Sequence, residues 1–167
     1  MVVLVNKEEN NPMQKRQFLL RATTACALVV LAAGCSSVSL SEAPKPRGNV
    51  YEAALSGTQE VPPAATTGTG MAEVEHDGAT NRIRWRVTYS GLSGPVTGAH
   101  IHGPAAAGQN AAVVVPFTGD LGKSPITGEA TLTPAQFGDF AAGLWYVNLH
   151  TAKFPGGEVR GQLKKRP

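Results

Sequence analysis

The chain has 167 residues and a formal net charge of +3, a length that accommodates one domain plus appendages. From Cys35 onward, eleven Lys and Arg face ten Asp and Glu, so most of the basic excess lies in the N-terminal segment and gives no ground for nucleic-acid binding. Both cysteines, Cys26 and Cys35, also lie there, which excludes a disulfide or a thiolate metal site from the residues that follow.

Residues 1–34 read as a signal peptide. Lys15, Arg16 and Arg21 precede an apolar run from Ala22 to Ala33, and then Gly34 and Cys35. A basic flank, a short apolar core and small residues at the end are what export and cleavage require. The run has about twelve residues, whereas a membrane-spanning helix needs ~20. Leu31-Ala32-Ala33-Gly34-Cys35 resembles a bacterial lipobox, with Ala32 where Leu is commoner. Small side chains fit a peptidase beside the scissile bond, and the thiol is free to take a diacylglyceryl group, so Cys35 is the expected lipidation site. Glu8 and Glu9 are out of place in such a leader, and Met13, followed by Gln14-Lys15-Arg16, reads as the start of translation. Lys15-Arg16-Gln17-Phe18-Leu19 is similar to a twin-arginine export motif with Lys replacing the first Arg, so both export routes stay open. Residues 35–48, rich in Ser and Pro after the cysteine, read as a tether. Thirteen such residues could reach roughly 40 Å. Ser36 after the lipidated cysteine favours outer-membrane over inner-membrane placement, because the sorting signal that retains lipoproteins inside uses Asp there.

The domain is expected over 49–167, built from short strands. Ile83, Trp85, Val87 and Tyr89 alternate with Arg82, Arg84, Arg86 and Thr88, a period of two with one dry and one wet face. Ala72 and Val74 alternate with Glu73 and Glu75, and Asp77-Gly78-Ala79-Thr80 supplies a turn between the runs. The hairpin sets both glutamates across from the arginines, so the Arg row reads as a paired sheet face and not a polyanion site. Further strands are expected at 50–56, 96–102, 111–117, 126–132, 144–150 and 157–163. One helix interrupts them, with Thr133 as N-cap, Pro134 at N1, Gln136 completing a capping box, a stripe of Phe137, Phe140 and Ala141, and Gly143 at its end. Many short strands with one short helix predict an all-β, immunoglobulin-like or Greek-key β-sandwich. Its core is expected to hold Leu55, Val74, Ile83, Trp85, Val87, Ile101, Trp145, Val147 and Leu149.

Four histidines belong to this domain. His100 and His102 sit two apart, on one face of a strand, while Ala99 and Ile101 point to the core. In Leu144–His150 the core stripe is Trp145, Val147 and Leu149, so His150 shares the other face with Tyr146 and Asn148. Three neutral imidazoles suit copper or zinc better than oxygen-preferring metals, with Glu60 and Glu158 as candidate further ligands. His102 and His150, each ending its strand, are expected to approach most closely. A structural reading competes: each histidine caps a turn or bonds a neighbouring loop. His76, beside the Asp77-Gly78 turn, reads as solvated. No phosphate loop, dinucleotide fingerprint or nucleophile elbow is present, and no pair of carboxylates is marked out as acid and base.

Four stretches occur in order: Ala54–Pro63 (ALSGTQEVPP), Ala99–Pro104 (AHIHGP), Tyr146–Thr151 (YVNLHT) and Pro155–Leu163 (PGGEVRGQL). Together they resemble CHRD domains, named for chordin and found also in bacterial exported proteins. The resemblance implies a β-sandwich and leaves the biochemical role undefined; the first functional reading is a non-enzymatic envelope module that binds a protein or glycan partner, with the membrane reached through the lipid on Cys35. Growth-factor binding, associated with chordin's neighbouring cysteine-rich modules, does not transfer. His-x-His also resembles the metal strand of copper-zinc superoxide dismutases, but the disulfide cysteines and zinc loop are missing, so copper or zinc binding is the alternative reading and dismutase chemistry is not expected.

Overall fold

A computed structural model describes residues 48–167. The signal peptide, Cys35 and residues 35–47 of the tether lie outside the described residues, and no described helix is long and apolar enough to cross a membrane. The elements are β1 (Asn49–Ser56), β2 (Thr69–Asp77), β3 (Arg82–Ser90), β4 (Val96–His102), β5 (Val113–Pro116), β6 (Ile126–Thr131), α1 (Pro134–Ala141), β7 (Tyr146–Thr151), β8 (Val159–Gln162) and β9 (Lys164–Lys165).

The all-β class with one short helix holds. The two layers expected of a sandwich are halves of one antiparallel sheet, ordered β5-β4-β7-β8-β1-β2-β3-β6 and curled into a nearly closed barrel. β1 joins the halves. It pairs with β2 along its whole length, from Asn49 opposite His76 to Ser56 opposite Thr69. On its other edge it meets β8 at Arg160 and β9 at Lys164 and Lys165, in one continuous register.

The β2–β3 hairpin pairs nine residues on each side. The Asp77 carboxylate accepts from Ala79 N–H at 2.9 Å, and Asn81 takes the left-handed conformation (φ 52°) that closes the turn. Glu73 and Glu75 do lie opposite Arg86 and Arg84. The ion pairs form elsewhere: Arg82 and Arg84 reach Glu129 of β6 at 3.4 and 3.3 Å, and Glu73 pairs with Arg166. Long side chains select the neighbour on the far strand, and such exposed pairs each contribute only ~0.2–1 kcal/mol.

Every expected core residue is buried, joined by Tyr51, Phe117, Phe140 and Leu163. Thr133 and Gln136 form the capping box, and Gly143, one residue past the C-cap Ala142, adopts φ 75°. The helix closes one end of the barrel, with Phe140 against Tyr51 (4.1 Å) and Trp145 (5.4 Å). His76 is not solvated: it is 1 % exposed and stacks on Phe137 at 4.0 Å. The alternation that buries Ala72 and Val74 continues through His76 and turns its ring inward under α1.

Candidate metal centre

β4 and β7 lie side by side, and their off-core faces build the site. His100 stands opposite Asn148, His102 opposite Tyr146 and Gly98 opposite His150. β8 adds Arg160 opposite Asn148 and Gln162 opposite Tyr146. This face is roofed by loops: Asn110 donates to the Val61 carbonyl at 3.0 Å, and Tyr146, Asn148 and Arg160 are all at least nine-tenths buried.

One candidate ligand atom from each of His100, His102 and His150 lies within 4.8 Å of the other two. The closest pair is His100 Nδ1 and His150 Nε2 at 3.1 Å, not His102 and His150, whose ring centroids are 6.2 Å apart. The strands run antiparallel, so the end of β4 meets the beginning of β7, and His102 faces Tyr146 in place of His150. His150 instead lies across from Gly98, whose missing side chain matters. A Cβ there would come within 3.3 Å of His100 Cε1 and 3.6 Å of His150 Cδ2.

Backbone carbonyls fix two of the rings. His102 Nδ1 is 3.0 Å from the Ala111 carbonyl and His150 Nδ1 is 3.0 Å from the Pro155 carbonyl. A carbonyl can only accept, so both Nδ1 atoms carry the proton and both Nε2 atoms keep a lone pair. His102 Nε2 is buried without a partner. His150 Nε2 accepts from His100 Nδ1, so a metal would compete with that one hydrogen bond, and His100 would shift its proton to Nε2. Each histidine therefore does bond a neighbour, as the structural reading expected, yet those bonds are what hold the remaining nitrogens together. An N–H bound to a backbone carbonyl is the usual orienting partner of a metal-ligating histidine. His102 also stacks face to face on Tyr146, with centroids 4.9 Å apart and planes 2° from parallel.

Burial lowers the pKa of all three histidines. At His100, His150 and His102 add to the effect. At His102 the bond to Ala111 opposes burial, and nearby His150 and Arg160 reinforce it. At His150 the bond to Pro155 opposes it. Neutral imidazoles are the metal-binding form. His100 and His150 remain partly open to solvent, which leaves space for an exogenous ligand.

Neither carboxylate belongs to this group. Glu158 is fully buried and its oxygens are taken: Thr66 Oγ1 and Ser93 N–H donate to Oε1, both at 2.7 Å, and Ser93 Oγ (2.7 Å) and Thr151 Oγ1 (2.6 Å) donate to Oε2. Burial alone would raise its pKa, but these donors outweigh burial and hold it below the ordinary carboxylate value. It pins the 66–68 and 91–95 connections to β7. Glu60 accepts weakly from Asn148 Nδ2 at 3.4 Å, and its Oε1 is buried without a partner. Burial raises its pKa to about 7, against the pull of Arg160, the Val61 N–H and Asn148.

Sequence reasoning missed Arg160. It is 1 % exposed, its guanidinium lies 3.4 Å from the Tyr146 ring centre, and it donates to Asn110 Oδ1 (3.0 Å) and the Gln109 carbonyl (2.6 Å). It forms no ion pair within 4 Å among the described residues. Alternation along β8 is the signal that places it on the histidine face, opposite Asn148.

A family model described as CHRD domain matches residues 51–163. No curated protein and no solved structure matches.

Proposed function

The chain belongs to the CHRD-domain family over residues 51–163, and on that premise we propose that it is a copper- or zinc-binding protein of the cell envelope, held at the membrane by lipid on Cys35. The observation that carries the metal reading is the convergence of His100, His102 and His150 within 4.8 Å, with two rings fixed by carbonyl oxygens. Three imidazoles and an open position are a donor set that zinc and copper accept. The role proposed is metal binding through the three histidines, without Glu158, whose oxygens are occupied, or Glu60, which lies outside the histidine group. The lipobox supports anchoring, and Ser36 supports the outer membrane.

The test is metal titration of the purified full-length chain, after chelator treatment, with Cu or Zn. One equivalent should bind. Single His→Ala changes at 100, 102 and 150 should each weaken binding by more than the ~10–100-fold lost when an outer-shell partner is removed, with the fold retained. Affinity should fall on acidification below the ordinary imidazole range near ~6.5. Absence of stoichiometric binding, or a triple variant that binds like wild type, overturns the proposal.

A further inference from the structure

We propose that this centre is built for monovalent copper, and that Arg160 enforces the choice by placing a buried positive charge behind the His102–Tyr146 stack. The inference rests on the metal-binding reading above and goes beyond it to oxidation state. Three features carry it. The ligand group consists of imidazoles only, so the first shell brings no negative charge to offset a dication. The Arg160 guanidinium lies on one face of the Tyr146 ring, and His102 stacks parallel to that ring. The guanidinium's hydrogen bonds to Asn110 and Gln109 go to neutral oxygens, so its charge is not cancelled by a paired carboxylate.

A fixed positive charge in a desolvated site repels every cation, but it repels a dication twice as strongly as a monocation. Screening by water is weak there, since Arg160 and Tyr146 are 1 % and 2 % exposed. A compensating carboxylate on this face is Glu60, which is bonded to Asn148. Three imidazole nitrogens around a small, half-closed space also match the low coordination number that monovalent copper tolerates, whereas dications seek further ligands.

The test compares Cu(I) and Cu(II) affinities of the purified full-length chain by competition with chromogenic chelators at pH 8, under reducing and oxidising conditions. The wild type should bind Cu(I) more tightly than Cu(II). Arg160→Gln should lower the Cu(I)-to-Cu(II) affinity ratio about tenfold, the effect of one charge in a medium between protein and water. Arg160→Lys, which keeps the charge but not the planar fork, should restore most of that ratio. Should Arg160→Gln not fold, Glu60→Gln decides. Removing this carboxylate should raise the ratio severalfold, and an unchanged or lowered ratio overturns the inference. Tighter binding of Cu(II) than of Cu(I) by the wild type, or an unchanged ratio in folded Arg160→Gln, also overturns it and leaves the metal site standing. No copper bound in either state defeats the metal-binding reading itself.

Discussion

Replacing Glu60 by Gln should stabilise the domain, and by more as pH rises. Glu60 is 5 % exposed and one of its oxygens has no partner. Burial raises its pKa from the ordinary 4.5 to about 7. The unfolded chain returns it to the ordinary value, so between those two pKa values the folded state binds more protons than the unfolded one. Stability is therefore lost progressively as pH climbs through that window, and the full penalty is present above the folded pKa. At about 1.4 kcal/mol per pKa unit, the penalty is about 1 kcal/mol at pH 5 and about 3 kcal/mol at pH 8. Gln has the same shape and no charge, and its amide can donate where Asn148 Oδ1 is unpartnered. The histidines complicate the wild-type curve. Their lowered pKa values give a contribution that is complete above the unfolded value near ~6.5 and lost as pH falls through the folded values. They titrate in both proteins, so the difference between variant and wild type isolates Glu60. Urea unfolding with chelator present, at pH 5, 6, 7 and 8, should show that difference growing by about 2 kcal/mol. A constant difference, or a variant less stable than wild type at pH 8, would refute the reasoning.

Trp85→Ala should cost about 3–5 kcal/mol in urea unfolding, because its ring stacks on Phe117 at 4.5 Å and packs on Gly128, where even a Cβ would collide with it. Unchanged stability would mean that the seam between β3 and the end of β5 is not packed this way. Glu158→Ala should cost about 3–5 kcal/mol by stranding three hydroxyls and one N–H. Glu158 has a depressed pKa, so its stabilisation is present above the ordinary value of 4.5 and is lost as pH falls through the folded pKa; Glu158→Gln should flatten that acid limb of the stability profile. Cys35→Ser should release the protein from membranes in cell fractionation, since stable anchoring needs two or more acyl chains and a lipobox cysteine normally carries them. A wild-type protein that is soluble with a mature N-terminus other than Cys35 would defeat the lipid anchor.

Local pattern was enough for most of the fold. Alternation placed β3, β4 and β7, and it assigned Ile101, Trp145, Val147 and Leu149 to the core before any contact was known, because side-chain direction in a strand follows from backbone geometry alone. The capping box of α1 was equally local: Thr133 and Gln136 are three residues apart. The same rule buries His76, two positions beyond Val74, even though it stands beside the Asp77-Gly78 turn.

Residue spacing alone sets which side chains share a face: His100 with His102, and His150 with Tyr146 and Asn148. Which of these meet depends on strand pairing. Pairing and direction of β4 and β7 are long-range properties, fixed by how the sheet curls and not by any residue's neighbours in sequence. Antiparallel pairing brought His150 to His100 across Gly98 and left His102 stacked on Tyr146. The roofing loops then decided which face was dry, and burial gave Arg160, Glu60 and the three imidazoles their electrostatic character. Charges and lone pairs act through space and dielectric, and neither is defined until the chain is folded.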